Sequence, residues 1–215
     1  MNLFHRLNDE QLMIINNDRY EVRFLKGEVI FKQGGPFTHI ACLTSGQAKV
    51  YIEGQDKKNM ILKILKPIEM VGGPGFPVDY RHHFSVATLV ESTACLIDIH
   101  AFEEILKSNA DFALEFIKYL NQTTIKLHEK LMNLTHKQMP GRMADAIIYL
   151  AKDVYCDNSF ETPLTRQDLA EMTAMTKESA IRILKELKDD RIIDFENNRF
   201  TIINEQALNQ ISMRG

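Results

Sequence analysis

The sequence predicts an α+β protein: an N-terminal sheet structure, one long helix, and a C-terminal helix-turn-helix followed by a hairpin. Three observations carry that reading. Short apolar runs punctuated by glycine fill residues 20–99. A stretch without glycine or proline runs from Asn109 to Gln138. Beyond Pro140-Gly141 two threonine-capped amphipathic segments follow one another about eleven residues apart.

In the first part, "EVIF", "HIACL", "AKVYI", "MILKIL", "SVATLV" and "ACLIDI" are short apolar or alternating runs. Gly27, Gly34, Gly35, Gly46, Gly54, Gly72, Gly73 and Gly75 fall between or beside them. Strands of this length with regular turn signals indicate a sandwich or barrel. A short helix precedes them, with Asn8 as the cap of "DEQLMIIN".

Asn109 caps the long segment. Steps of four and three select Ala113, Ile117, Leu120, Thr124, Leu127, Leu131 and Leu134, a narrow seam suited to a partner helix. The expectation is a homodimer. Phe112, Phe116 and Ile125 lie off that seam and are free to face the sheets. Pro140 and Gly141 break the helix, so the expected division is 1–108, 109–138 and 139–215.

Helices are expected over 142–153, 166–172 and 177–189, with a hairpin at "RIIDFENNRFTII" turning at Asn197-Asn198. Thr165 with Asp168, and Thr176 before Lys177-Glu178, are helix caps. "MTAM" between them has the length of a helix-turn-helix joint. On the second helix Ala180, Ile183, Leu184 and Leu187 share one arc, and Lys177, Glu178, Ile181, Arg182 and Lys185 the opposite one. A major groove suits the outer set. Arg forks onto guanine O6 and N7, Glu accepts from cytosine N4, Lys reaches guanine or phosphate, and Ile181 meets a thymine methyl.

Composition limits the alternatives. The chain is 45% hydrophobic and 26% charged with a net charge of −3, ordinary for a globular protein. From Met139 onward it carries 10 Lys/Arg against 13 Asp/Glu, so any DNA contact depends on local placement of charge rather than the net field. No apolar run approaches the roughly 18 residues of a membrane span. "MNLFHRLNDEQL" has charges where a signal peptide needs an apolar core, so a cytoplasmic protein without membrane contact is expected. Cys42, Cys95 and Cys156 are scattered, which argues against a disulfide framework or thiolate cluster.

"GEVIFKQGG", "GQAKVYI", the long helix, "GRMADAIIYLA", "LTRQDLA" and "TKESAIRILKELKDDRII" together resemble the cyclic-AMP receptor protein/fumarate-nitrate regulator (CRP/FNR) transcription factors. The resemblance implies a β-roll effector domain like the cyclic-nucleotide-binding jelly roll, a dimerising helix and a winged helix-turn-helix. It implies a non-enzymatic regulator that binds an inverted repeat in double-stranded DNA and contacts RNA polymerase. The base-reading set falls on Lys177, Glu178 and Arg182, with Ile181 between them. Lys177 stands where the family often has arginine, and Ala174 replaces a joint glycine. Phosphate contacts are expected from Thr165, Arg166, Gln167, Thr176 and Lys185.

The effector site departs from the cyclic-nucleotide pattern. Gly72-Gly73 stands for Gly-Glu and Arg81-His82 for Arg-Ser, while Leu127-His128 replaces the hydroxyl pair that meets adenine. The expected pocket residues are thus Gly72, Gly73, Arg81, His82, His83, Leu127 and His128. Cyclic AMP is not the expected ligand. The N-terminus has no cysteine for an Fe–S cluster, and haem remains a candidate through His82, His83 and His128. Two other readings compete: a cupin-like metalloenzyme suggested by "HH", and a nucleotide-sensing dimer that binds protein.

Overall fold

The computed structural model describes residues 3–17 and 19–214. Two compact units emerge, Met1–Glu53 with Lys63–Leu127, and Gly54–Leu62 with His128–Gly215.

The first unit opens with helix α1 (Asp9–Asn17). Asn8 caps it, its Oδ1 accepting from Gln11 N at 2.9 Å. Strands β1 (Arg19–Phe24), β2 (Val29–Phe31), β3 (His39–Ser45), β4 (Ala48–Ile52), β5 (Met60–Leu65), β6 (Met70–Val71), β7 (Ser85–Thr88) and β8 (Ser92–Asp98) follow. They form two four-stranded sheets, ordered β1-β8-β3-β6 and β2-β7-β4-β5. This is the sandwich expected of a cyclic-nucleotide-binding-like domain. Strand β1 alternates Tyr20, Val22 and Phe24 with charged residues. It forms because it pairs along β8, Arg19 opposite Ile97 through Phe24 opposite Ser92. Cys42 and Cys95 face each other across β3 and β8 as free thiols.

Asp98 caps helix α2 (Ile99–Ser108), its carboxylate accepting from His100 N and Ala101 N. Helix α3 (Ala110–His136) starts at Asn109, whose Oδ1 accepts from Phe112 N at 2.9 Å. Phe112 and Phe116 are buried with Phe102, Ile105, Phe37, Phe76 and Ile40 in the unit's core. Ile125 does not join them and is exposed.

Strand β5 and helix α3 both run on into the second unit. There Lys130 Nζ donates to Ile61 O at 2.7 Å, tying the last turns of α3 to the β4–β5 tip. Burial pushes the Lys130 ammonium down to about 8. The boundary between units therefore lies inside α3, ahead of the helix break.

That break falls at Gln138. Helix α4 (Met139–Tyr149) begins there with Pro140 in its first turn and winds into a π-helical stretch, Leu150–Val154. The second unit continues with β9 (Ser159–Glu161), α5 (Arg166–Met172), α6 (Lys177–Asp189), β10 (Ile193–Glu196), β11 (Arg199–Ile202) and α7 (Glu205–Arg214). The three strands form one antiparallel sheet, β10-β11-β9. The expected hairpin thus gains a third strand, β9, from the segment "CDNSFETP" between the expected helices. Phe200 sits opposite both Phe195 and Phe160.

Candidate nucleic-acid interface

Helices α5 and α6 form the helix-turn-helix. Thr165 and Asp168 make a capping box at the start of α5, with Thr165 Oγ1 accepting from Asp168 N and Asp168 accepting from Thr165 N. Thr176 Oγ1 accepts from Ser179 N at 3.2 Å and starts α6. In the joint, Thr173 Oγ1 donates to Leu169 O at 2.7 Å and Met175 N to Ala170 O at 3.1 Å. Ala174 takes φ +49°, the left-handed conformation that glycine adopts without strain. Arg142 Nη1 donates to its carbonyl at 3.2 Å.

On α6, Ala180, Ile183, Leu184 and Leu187 are buried. Lys177, Glu178, Ile181, Arg182 and Lys185 are exposed, and Ile181 leaves 45% of its surface to solvent. The core arc and the outer arc divide as the 100° periodicity predicts. Lys177, Glu178 and Lys185 carry no ion pair or side-chain hydrogen bond among the described residues. Arg182 does: its Nη1 lies 2.7 Å from Glu186 Oε1, one turn further along.

The residues around the start of α5 are committed differently. Gln167 Nε2 donates to Glu171 Oε1 at 3.1 Å. Arg166 turns toward the hairpin, with its guanidinium carbon 4.8 Å from the Phe195 ring centre and 4.9 Å from that of Phe200. Its Nη2 donates to Asn197 O at 2.9 Å. Burial lowers its pKa from the ordinary arginine value, yet a guanidinium stays charged. This packing is not legible locally, since the partners lie about thirty residues away.

In the first unit, Gly72, Gly73 and His82 of the expected effector set lie against an aromatic interior, while Arg81, His83, Leu127 and His128 are exposed. A Cβ on Gly72 would touch Ile40 and Phe37, and one on Gly73 would touch Phe37 and Phe84. Gly75 has no alternative residue, because a Cβ there would fall 1.9 Å from Arg81 O. The amides of Val78, Asp79 and Tyr80 converge on the Gly75 carbonyl, which closes the turn tightly.

Arg81 Nη1 donates to Gly34 O at 3.0 Å. His82 is buried, its imidazole stacked between Phe31 and Phe37 at centroid distances of 4.2 and 4.6 Å. Its Nδ1 has no hydrogen-bond partner among the described residues, and burial pushes its pKa down to about 4. The ring is neutral at physiological pH. His83 instead meets Asp79 Oδ2 at 2.9 Å on the surface. Leu127 is exposed on α3 in this unit, and His128, the next residue, is exposed in the other.

Comparison with known proteins gives this geometry a family. The sequence model for a cyclic nucleotide-binding domain matches residues 21–109, and that for a Crp-like helix-turn-helix domain matches residues 141–211. The transcriptional activator protein FnrL of Cereibacter sphaeroides is 20% identical over 210 residues, covering 94% of this chain and 84% of FnrL. The cAMP-activated global transcriptional regulator CRP of Salmonella typhimurium is 24% identical over 170 residues, 76% of this chain and 80% of CRP. Among solved structures, FixK2 from Bradyrhizobium japonicum superposes with a TM-score of 0.82 at 16% identity, covering 90% of this chain and 96% of FixK2. A mutant of CooA from Carboxydothermus hydrogenoformans gives 0.79 at 19% identity, over 99% and 96% of the two chains. These superpositions show the fold. With both sequence models matched in order, the chain belongs to the CRP/FNR family of transcriptional regulators and carries that family's DNA-binding helix-turn-helix.

Proposed function

We propose that this regulator acts as a homodimer that reads an inverted repeat through α6. The observation that carries the reading is the outer face of that helix. Lys177, Glu178, Ile181 and Arg182 stand exposed in its first turns over a fully buried inner face. Residues near the start of a recognition helix reach base edges. Arg182 suits a guanine, Glu178 a cytosine and Ile181 a thymine methyl. Thr165, Gln167, Thr176 and Lys185 surround this face and suit phosphate oxygens.

In the free protein Arg182 is held by Glu186. Both side chains are more than half exposed, and an ion pair of that kind is worth about 0–1 kcal/mol. A bidentate contact to guanine is worth about 1–3 kcal/mol of discrimination, so base contact outweighs the pair. Dimerisation is assigned to α3, where Ile117, Leu127 and Leu131 are exposed at 51%, 40% and 60%. Leu120 and Leu134 are half-buried and Thr124 exposed along the same stripe. Residues 1–108 would sense, 109–138 couple and 139–215 bind DNA, with RNA polymerase as a further partner.

The effector is an agent other than cyclic AMP. The phosphate-binding serine of cyclic-nucleotide binders is replaced by a neutral imidazole locked between two phenylalanines, and Arg81 is engaged by Gly34. The relatives are named as regulators, which does not favour the metalloenzyme or protein-binding readings. No described helix is long and apolar enough to cross a membrane.

Selection from random DNA tests the reading. The wild type is expected to recover an inverted repeat with half-centres about 34–36 Å apart, and Arg182→Ala to relax one guanine. An unchanged consensus at every position with Arg182→Ala would refute base reading by this face.

A further inference from the structure

We propose that Arg166 serves DNA binding as a positioning residue for the wing, and that it does so through Phe195, Phe200 and Asn197 rather than by meeting a phosphate. The proposal rests on the DNA-binding reading of the second unit and assigns a role within it.

The contacts are directional. Arg166 is the first residue of α5, so the capping box at Thr165 and Asp168 fixes its backbone. From there the guanidinium packs on both Phe195 and Phe200, which sit opposite each other on β10 and β11 with ring centres 5.6 Å apart. A cation over an aromatic face is attracted by the ring, more strongly as it is desolvated, and two rings share this one. The Nη2 bond to Asn197 O reaches the turn of the hairpin itself, where Asn197 takes φ +52°. Thr162 N donates to Asn198 O at 3.0 Å from the other side.

Phe195 has a second cation. Lys188, in the last turn of α6, places its Nζ 4.9 Å from the ring centre and donates to Phe195 O and Asp194 Oδ1. One wing aromatic therefore joins the first residue of α5 to the end of the recognition helix. The Asn197–Asn198 turn and the outer face of α6 then reach the DNA backbone as a single rigid element, which lowers the ordering cost of binding. Direct phosphate contact is the competing role. Against it stand the committed Nη2 and the buried Nη1.

Lysine separates the two roles, since it keeps the charge but has neither the planar stacking nor the fork of arginine. Full-length Arg166→Lys, Arg166→Ala, Phe195→Leu and the Arg166→Ala/Phe195→Leu double variant would be titrated against the selected inverted repeat at several salt concentrations. Amide exchange over residues 196–199 would be followed in the DNA-free proteins. We expect Arg166→Lys to lose at least tenfold in affinity, as much as Arg166→Ala. The double variant should lose no more than the weaker single variant, and exchange at the wing turn should accelerate in all four. A role in stability alone, which would lower the melting temperature and leave affinity unchanged well below it, would overturn the proposal.

The proposal is overturned if Arg166→Lys binds like wild type while Arg166→Ala loses affinity and about one unit of salt slope, the signature of a lost phosphate contact. It is equally overturned if affinity and wing exchange are unchanged in every variant. A wild-type protein that binds no DNA would sink the DNA-binding reading instead. Wing exchange alone would then judge the clamp, with unchanged rates overturning it.

Discussion

His82 makes folding stability sensitive to mild acid. Its ring lies between Phe31 and Phe37, and burial depresses its pKa from 6.5 to about 4. Between those values the unfolded chain holds a proton that the native protein does not, so stability rises with pH across that window. It is unaffected above about pH 6.5, falls as the pH drops below that, and reaches its full loss near pH 4. At about 1.36 kcal/mol per pH unit the whole penalty is at most about 3 kcal/mol, and about 2 kcal/mol is already lost at pH 5. Urea denaturation at pH 7.5 and pH 5.0 on wild type and His82→Phe measures it. The phenyl ring continues the stack and removes both the titrating nitrogen and the unpaired Nδ1. Carboxylates common to both proteins cancel in the comparison. Wild type should lose about 2 kcal/mol more than the variant on acidification. Equal losses, or an imidazole resonance of His82 titrating near 6.5 in the native protein, would refute the burial argument.

Other outcomes follow from the same structure. Leu127→Glu places a charge in the proposed dimer seam, where each leucine contributes about 1.5–3 kcal/mol if fully buried. It should give monomers by light scattering and abolish binding to the inverted repeat. Ala174→Gly relieves a left-handed alanine in the helix-turn-helix joint and should raise stability by up to about 1 kcal/mol in thermal unfolding, with DNA affinity retained. Calorimetry with cyclic AMP should show no micromolar binding, because the ribose carboxylate is absent and the buried His82 stands where the phosphate-binding serine would.

The sequence alone was enough to lay out the helix-turn-helix. A helix repeats every 3.6 residues and a threonine cap acts over three, so the two faces of α6, the start of α5 and the cap at Thr176 are local properties, visible within a dozen residues. The same holds for Asn8 and Asn109 at the starts of α1 and α3, and for the break before Pro140. What escaped depends on partners far along the chain. The partner of strand β1 is β8, some seventy residues away, and nothing local to β1 names it. β9 is three residues long and exists because β11 offers it an edge. The roles of single side chains were hidden most completely. Arg166 reads as a surface cation at a helix start, and only the hairpin's return brings Phe195, Phe200 and Asn197 beneath it. His82 reads as a pocket ligand beside Arg81, and only the packing of Phe31 and Phe37 turns it into a neutral part of the core. Periodicity tells a chain which side of each element faces inward; which residues meet there is settled by long-range packing.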